Sequence, residues 1–170
     1  MFARPITIAV LAAAALVGAV ALPAAAVAAP AAKAQTPTAL ALAIAGRYWH
    51  ATPCQGRITI TTQQKLPAGL ELDSDAWVTF ASSEGPNALT APPSTYTDCV
   101  IALGRLRWPT TANMRTDWDM LCMTVTHEYG HLLGHAHDTA PASVMAAVYT
   151  DYSSESQACR TNRPASPRRR

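Results

Sequence analysis

The sequence predicts an α+β fold in which short strands precede a helix that carries a cluster of histidines. Three runs have the alternation or the β-branched and aromatic content of strands: residues 57–62, 76–81 and 99–108. After them, Leu121, Val125 and Leu132 form an apolar stripe at helical spacing. The chain has 170 residues and no internal repeat, so we expect one domain with a single core.

Each element has a local signal in the sequence. Residues 38–49 predict a first helix, because apolar side chains recur there at helical spacing: Leu40, Ile44 and Trp49. The third strand is interrupted by Gly104, and Pro109 stops it. Thr116 and Asp119 have the Thr-x-x-acid spacing of a capping box, which predicts that the histidine-bearing helix begins there.

That helix carries His127, Glu128 and His131, which together predict a metal site with its own general base. His127 and His131 are one helical turn apart and project from the same face, so both imidazoles can reach one ion. Glu128 follows the first histidine, so its carboxylate lies beside the metal and can accept a proton from water. Gly134 can adopt the left-handed conformation that ends the helix. His137 can then supply a third nitrogen, which leaves a fourth position for water and substrate, as in catalytic zinc sites.

The pattern resembles the zinc-binding signature of the metzincin metallopeptidases, His-Glu-x-x-His-x-x-Gly-x-x-His, and fills every specified position. The resemblance implies one catalytic Zn²⁺ held by three ligands: His127, His131 and His137. It also implies that Glu128 is the general base and that Met145 forms a methionine turn, an apolar floor beneath the metal.

Two residues near the third predicted ligand need separate interpretation. His135 directly follows Gly134 and lacks the two-residue spacer of the signature, so we expect a solvent-facing turn residue. His137 should depend on a hydrogen bond at its second ring nitrogen to fix its tautomer. Asp138 has two interpretations, as a side chain that holds the turn through backbone hydrogen bonds or as a plain surface charge.

Among the metzincins the chain is most similar to the matrixins, and specifically to a small bacterial matrixin-type peptidase. Tyr149 follows Met145 by four residues, as in the matrixin Met-Tyr-Pro-x-Tyr segment, although Ala146 and Ala147 replace the Tyr and Pro. The resemblance implies that Tyr149 lines the primed-side specificity pocket. It also implies a zincin-like fold, with a twisted, mostly parallel sheet, one antiparallel edge strand, an active-site helix and a short C-terminal subdomain.

Other matrixin features are not matched in this sequence. The Pro-Arg-Cys-Gly pro-segment is absent, so latency through a thiol on zinc is not expected. A second, structural zinc is not expected either, because His50 is the only histidine outside the motif. Calcium is undecided: Glu71, Asp73 and Asp75 are close in sequence, but a hard-cation site needs more oxygen ligands than this run supplies.

The resemblance implies a zinc-dependent endopeptidase that hydrolyses peptide bonds with a zinc-activated water and Glu128 as general base. Its partner would be a protein or peptide substrate that extends along an edge strand, for which residues 100–103 are one candidate. The alternative is a secreted zinc-containing binding protein or toxin without significant turnover, whose mark would be loss of Glu128. The net charge of +2 does not favour a nucleic-acid partner, and we expect a monomer.

The chain contains an even number of cysteines: Cys54, Cys99, Cys122 and Cys159. None has C-x-x-C spacing, so in an oxidising compartment they indicate two disulfides, for which three pairings exist. We favour Cys54 with Cys99, which would tie two strand ends. The second pair would then be Cys122 with Cys159, which would clamp the histidine-bearing helix to the C-terminal segment.

Composition divides the chain into four parts. Residues 1–29 indicate a signal peptide, because an apolar run follows Arg4 and ends in small residues; an uncleaved membrane anchor is the alternative. The remaining parts are an Ala/Pro-rich leader, a metzincin catalytic domain and a basic disordered tail: residues 30–37, 38–160 and 161–170. The alternative for the tail is that its arginines bind polyanions. We therefore expect a secreted, extracellular bacterial protein without stable membrane association after signal cleavage.

Overall fold

The computed structural model describes residues 35–63, 75–83, 92–149 and 156–164. The predicted signal peptide, two calcium candidates (Glu71 and Asp73) and the last six residues of the tail lie outside these ranges. The described elements are, in chain order, α1 (Pro37–Trp49), β1 (Ile58–Gln63), β2 (Ala76–Ser82), β3 (Tyr96–Gly104), α2 (Thr111–Thr116), α3 (Trp118–Leu132) and α4 (Gln157–Thr161). This order confirms the α+β class. No helix within the described ranges combines the length and the apolar character that crossing a membrane requires.

Helix α1 begins at Pro37, directly after a threonine that caps its first turn. The side chain of Thr36 accepts a hydrogen bond from the amide of Ala39 at 3.2 Å, and Pro37 occupies the first turn, where no amide donor is needed. Ile44 is fully buried as predicted, whereas Leu40 and Trp49 are half-buried at the margin of the core. The helix therefore presents one apolar face to the rest of the domain.

The C-terminal end of α1 is fixed to the middle of α3 by two hydrogen bonds. The indole Nε1 of Trp49 donates to the carbonyl of Thr126 at 2.9 Å. The hydroxyl of Tyr129 donates to the carbonyl of Ala51 at 2.8 Å. Both contacts join residues more than seventy positions apart, so they set the position of α1 relative to the histidine-bearing helix.

The described strands form a mixed sheet in the order β1-β3-β2. Strand β1 is parallel to β3, from Ile58 opposite Cys99 to Gln63 opposite Gly104, and β2 pairs antiparallel on the other side. An antiparallel edge strand is therefore present as expected. The candidate substrate edge at residues 100–103 is wrong, because these residues lie in the central strand with both neighbours paired. Their near-continuous apolar sequence reflects burial on both faces, as is usual for a central strand.

The predicted start of the histidine-bearing helix is also wrong in detail. Thr116 does not cap α3; it is the last residue of α2, and its hydroxyl donates to the carbonyl of Ala112 at 3.1 Å. Asp117 precedes α3, and its carboxylate accepts from Arg107 Nε at 2.8 Å and from Trp108 Nε1 at 3.1 Å. These tertiary partners hold the start of α3 in place of the local capping box.

The two favoured disulfides, Cys54–Cys99 and Cys122–Cys159, are confirmed. The first joins the turn before β1 to the central strand, and the second joins α3 to α4. The indole of Trp118 adds a hydrogen bond from Nε1 to the carbonyl of Cys159 at 2.8 Å. The N-terminal half of α3 is therefore attached to the C-terminal segment by one covalent bond and one hydrogen bond.

Candidate metal centre

The C-terminal half of α3 places His127 and His131 on the same side of the helix. Their Nε2 atoms are 3.0 Å apart, and their ring centroids are separated by 4.6 Å. Every residue from 121 to 130 is buried, so the helix is surrounded by protein where the first histidine projects. The i, i+4 spacing seen in the sequence thus produces the expected convergence of two imidazoles.

The chain then reverses and brings in the third histidine. Helix α3 ends at Leu132, and Gly134 has a φ of +89°, the left-handed conformation expected at this glycine. A side chain there would also meet Pro93, whose Cγ is 2.6 Å from the position of an added Cβ. After this turn the Nε2 atom of His137 lies 3.2 Å from that of His131. Each of the three histidines therefore has a nitrogen within 4.8 Å of the other two.

Main-chain carbonyls fix the tautomers of the two helical histidines. Nδ1 of His127 lies 2.8 Å from the oxygen of Val144, and Nδ1 of His131 lies 2.8 Å from the oxygen of His135. A carbonyl oxygen only accepts, so we place the proton on each Nδ1 and a lone pair on each Nε2. Burial favours the neutral form, since it lowers the pKa of His127 to about 4 and also lowers the pKa of His131.

The arrangement of the three ring nitrogens fits a zinc ion. Two lone pairs facing each other at 3.0 Å repel unless a cation lies between them. Nitrogens bound to one tetrahedral zinc ion are about 3.3 Å apart, from Zn–N distances of about 2.0–2.1 Å. The two distances from Nε2 of His131, 3.0 Å to His127 and 3.2 Å to His137, match this spacing to within a few tenths of an ångström. Nδ1 of His137 has no partner within the described ranges, so the hydrogen bond expected there stays a prediction.

Glu128 is a buried carboxyl group beside the first histidine. Its exposed fraction is 6%, and the loss of water around the carboxylate raises its pKa to about 8. Burial also raises the pKa of Tyr149, and the nearby charge of Glu128 acts in the same direction. A cation at the histidines would oppose the shift of Glu128, because it stabilises the ionised carboxylate.

Tyr149 and His127 share a hydrogen-bond acceptor. The hydroxyl of Tyr149 donates to the oxygen of Val144 at 2.6 Å, the same oxygen that Nδ1 of His127 contacts. The two rings meet edge to face, with centroids 5.7 Å apart. The residue predicted as a pocket wall therefore also contacts the first histidine and its carbonyl partner. Sequence reasoning missed Val144, because only its main chain takes part.

Met145 packs beneath the helix at a glycine. Met145 is 5% exposed, and a Cβ added at Gly130 would lie 2.5 Å from its sulfur. The same added atom would lie 2.7 Å from Cζ2 of Trp49. Gly130 therefore allows two side chains to approach the helix closely, one turn after Thr126 and between the two histidines.

The turn after His137 is held by Asp138, which resolves the two interpretations of this residue. Its carboxylate accepts from the amide of Ala140 at 2.9 Å, and its own amide donates to the oxygen of Met145 at 2.8 Å. The backbone hydrogen bonds lower the pKa of this carboxyl group. The third calcium candidate, Asp75, forms an ion pair, since its carboxylate lies 3.1 Å from the guanidinium of Arg107, and calcium binding stays undecided.

His135 is exposed, as expected for a turn residue, but its ring is not free in solvent. It stacks on Trp49 with ring centroids 4.4 Å apart and an interplanar angle of 20°. Both rings border a cavity of about 490 Å³ that also contacts His137 and Met145. Sequence reasoning identified Trp49 only as a core residue of α1, and no local pattern links it to a histidine in a distant loop.

Comparison with known proteins agrees with this geometry. The family model described as Matrixin matches residues 51–162, about two thirds of the chain. The matched range includes the three histidines, Glu128, Met145 and Tyr149. Searches of curated proteins and of solved structures gave no significant match. Because the family model covers well over half of the sequence, the chain belongs to the matrixin family of metallopeptidases.

Proposed function

We propose that this protein is a secreted zinc-dependent endopeptidase of zincin-like fold in which Glu128 is the general base. One observation carries the proposal: three histidine nitrogens lie within 4.8 Å of one another, and the residue after the first histidine, Glu128, is a buried carboxyl group. Zinc would be held by His127, His131 and His137. Membership of the matrixin family supports the assignment of peptide bonds as the substrate.

The chemistry divides between the ion and the chain. When bound, zinc would supply a Lewis acid that polarises the scissile carbonyl and makes water more acidic. Glu128 accepts the proton of the attacking water and delivers it to the leaving amine. In the chain without metal, burial raises the pKa of this carboxyl group, a direction that favours its second role as proton donor to the leaving amine.

The substrate would bind in an extended conformation along β2. Among the described strands, β1 and β2 each pair only with β3, so both have an outer edge with main-chain groups that can bind a peptide. We choose β2 because it is the antiparallel edge strand and packs against α3, the helix that carries His127 and His131. Tyr149 would contact the side chain on the primed side of the cleaved bond. Strand β2 replaces residues 100–103 as the candidate edge.

Export is supported by the two disulfides and by the predicted signal peptide. Both pairs of cysteines form disulfides, which persist in oxidising compartments. The sequence of residues 1–29 has the apolar run and small residues of a signal peptide. We therefore propose that the enzyme acts outside the cell as a monomer.

The test is digestion of a peptide library by the purified protein, with and without a zinc chelator. We expect cleavage that the chelator abolishes and that added zinc restores. Glu128→Gln should bind one zinc ion and remain folded, but lose about 10²–10⁴-fold in kcat, the usual contribution of a general base. Activity in Glu128→Gln equal to that of the wild type would contradict the mechanism. Bound zinc without any cleavage by the wild type would favour the binding protein or toxin instead.

A further inference from the structure

We infer that Trp49, which lies outside the zinc motif, is a positioning residue that holds the loop carrying His135 and His137 against α3. The inference rests on the proposed function, because it takes the three histidines to be zinc ligands. It assigns a role to a side chain that neither the motif nor the family match identifies.

The indole of Trp49 is fixed relative to the first predicted ligand. Nε1 donates to the oxygen of Thr126, the residue directly before His127, at 2.9 Å. The ring also lies against the backbone of Gly130, since an added Cβ there would be 2.7 Å from Cζ2. The nearby hydrogen bond from Tyr129 to Ala51 holds the end of α1 in place. These contacts hold the indole of Trp49 in a fixed position against α3.

The exposed face of the same ring is covered by His135, at a centroid distance of 4.4 Å. Both main-chain polar groups of His135 form hydrogen bonds. Its amide donates to the oxygen of Gly130 at 3.0 Å, and its oxygen accepts from Nδ1 of His131 at 2.8 Å. The stack thus restrains the side chain of His135, and the main-chain oxygen of His135 orients His131, the second predicted ligand. Trp49 connects α1 to the orientation of His131 through one ring contact and one hydrogen bond.

This connection should affect metal binding, because a partner on Nδ1 sets the tautomer and the rotation of the ligating ring. Loss of such a partner commonly lowers metal affinity by about 10–100-fold. The loop after Gly134 is exposed, so few other side chains restrain it. Two contacts act directly on the residue that supplies the carbonyl: the hydrogen bond from the amide of His135 to Gly130, and the stack of its side chain on Trp49.

The experiment measures zinc affinity of the folded full-length protein by competition with a chromophoric chelator. We expect Trp49→Ala to raise the zinc Kd by up to about 10-fold, the lower end of the range for loss of a direct partner, because the carbonyl of His135 remains but its residue is less restrained. His135→Ala should raise it in the same direction by a smaller factor, and the double variant should bind no more weakly than Trp49→Ala. Trp49→Phe keeps a ring for the stack and should recover most of the affinity. The visible spectrum of the Co²⁺-loaded protein should change in Trp49→Ala and remain close to wild type in Trp49→Phe.

The matched control is Trp118→Phe, at the opposite end of α3. Trp118 also donates Nε1 to a main-chain carbonyl, but it is the first residue of α3 itself and contacts Cys159 instead of the histidine loop. This variant should lose thermal stability without a change in zinc Kd. Wild-type zinc affinity in both Trp49→Ala and His135→Ala would overturn the inference. Failure of the wild type to bind zinc would instead contradict the proposed function.

Discussion

At the scale of single residues, the two helical histidines owe their orientation to main-chain oxygens. Val144 supplies the oxygen for His127, and His135 supplies the oxygen for His131. A carbonyl partner tolerates substitution of its own side chain, because the acceptor belongs to the backbone. Substitutions at the ligands and at their partners should therefore have very different effects on metal binding.

His137→Ala should sharply lower zinc affinity and abolish peptide hydrolysis, because it removes one of three nitrogens. His135→Ala should have a much smaller effect on both, since its carbonyl remains to hold His131. Metal analysis and steady-state kinetics on the two variants measure the difference. The opposite order of effects would show that His135 is the third ligand.

Tyr149→Ala should change which residue is preferred on the primed side of the cut more than it changes the rate on the best peptide. The expectation follows from a half-buried ring beside His127 at the candidate cleft. Tyr149→Phe is the control, because it keeps the ring and removes only the hydrogen bond to Val144. An unchanged cleavage profile in Tyr149→Ala would remove this residue from the specificity pocket.

At the scale of elements, Gly130 allows Met145 and Trp49 of α1 to pack closely against α3. Alanine is a better helix former than glycine by about 1 kcal/mol, which taken alone predicts stabilisation by substitution. Two heavy atoms within 3 Å of the added Cβ oppose this gain, and one belongs to the rigid indole of Trp49. Overpacking of this kind commonly costs about 1–3 kcal/mol.

Gly130→Ala should therefore lower the free energy of unfolding by up to about 2 kcal/mol, the overpacking cost of about 1–3 kcal/mol less the helix-propensity gain of about 1 kcal/mol. Urea denaturation at equilibrium measures this quantity. Gly46→Ala is the comparison variant in α1, because its added Cβ would approach one atom, the hydroxyl oxygen of Tyr129 at 3.3 Å, whereas two atoms lie within 3 Å at Gly130. Gly130→Ala should therefore be the less stable of the two, and stabilisation by Gly130→Ala would show that the close packing against Met145 and Trp49 does not exist in solution.

At the scale of the whole molecule, two disulfides cross-link a small core. They join residues separated by 45 and 37 positions, so each one closes a long loop in the unfolded chain. The chain-entropy estimate for loops of this length is about 4 kcal/mol per disulfide. This is a large share of the total stability of about 5–15 kcal/mol that is usual for a domain.

Replacement of both Cys122 and Cys159 by serine should lower the free energy of unfolding by about 2–4 kcal/mol. Because this bond ties α3 to α4, the variant should also bind zinc less tightly at temperatures where α3 begins to fray. The measurements are thermal unfolding and zinc titration, with the Cys54 and Cys99 double variant for comparison. Unchanged stability in both double variants would show that neither disulfide forms in the purified protein.

The sequence by itself determined the elements and residues that depend on local spacing. Helical periodicity places His127 and His131 on the same face of the helix. Only glycine readily adopts the left-handed conformation at Gly134, which turns the chain so that His137 comes close to the other two histidines. The strand runs and the number of disulfides were also predicted, because alternation and an even cysteine count are properties of the chain alone. The end of the third strand at Gly104 instead of Pro109 was not predicted, and the pairing of the cysteines was a choice among three.

The tertiary structure decided what depends on residues far apart in the chain. Sheet order made residues 100–103 central, since periodicity describes one strand and not its neighbours. The donors to the carboxylate of Asp117, the carbonyl of Val144 on His127 and the stack of Trp49 on His135 arise only when packed elements meet. Backbone oxygens carry no sequence signal, because every residue has one, so only the fold selects which of them holds a ligand.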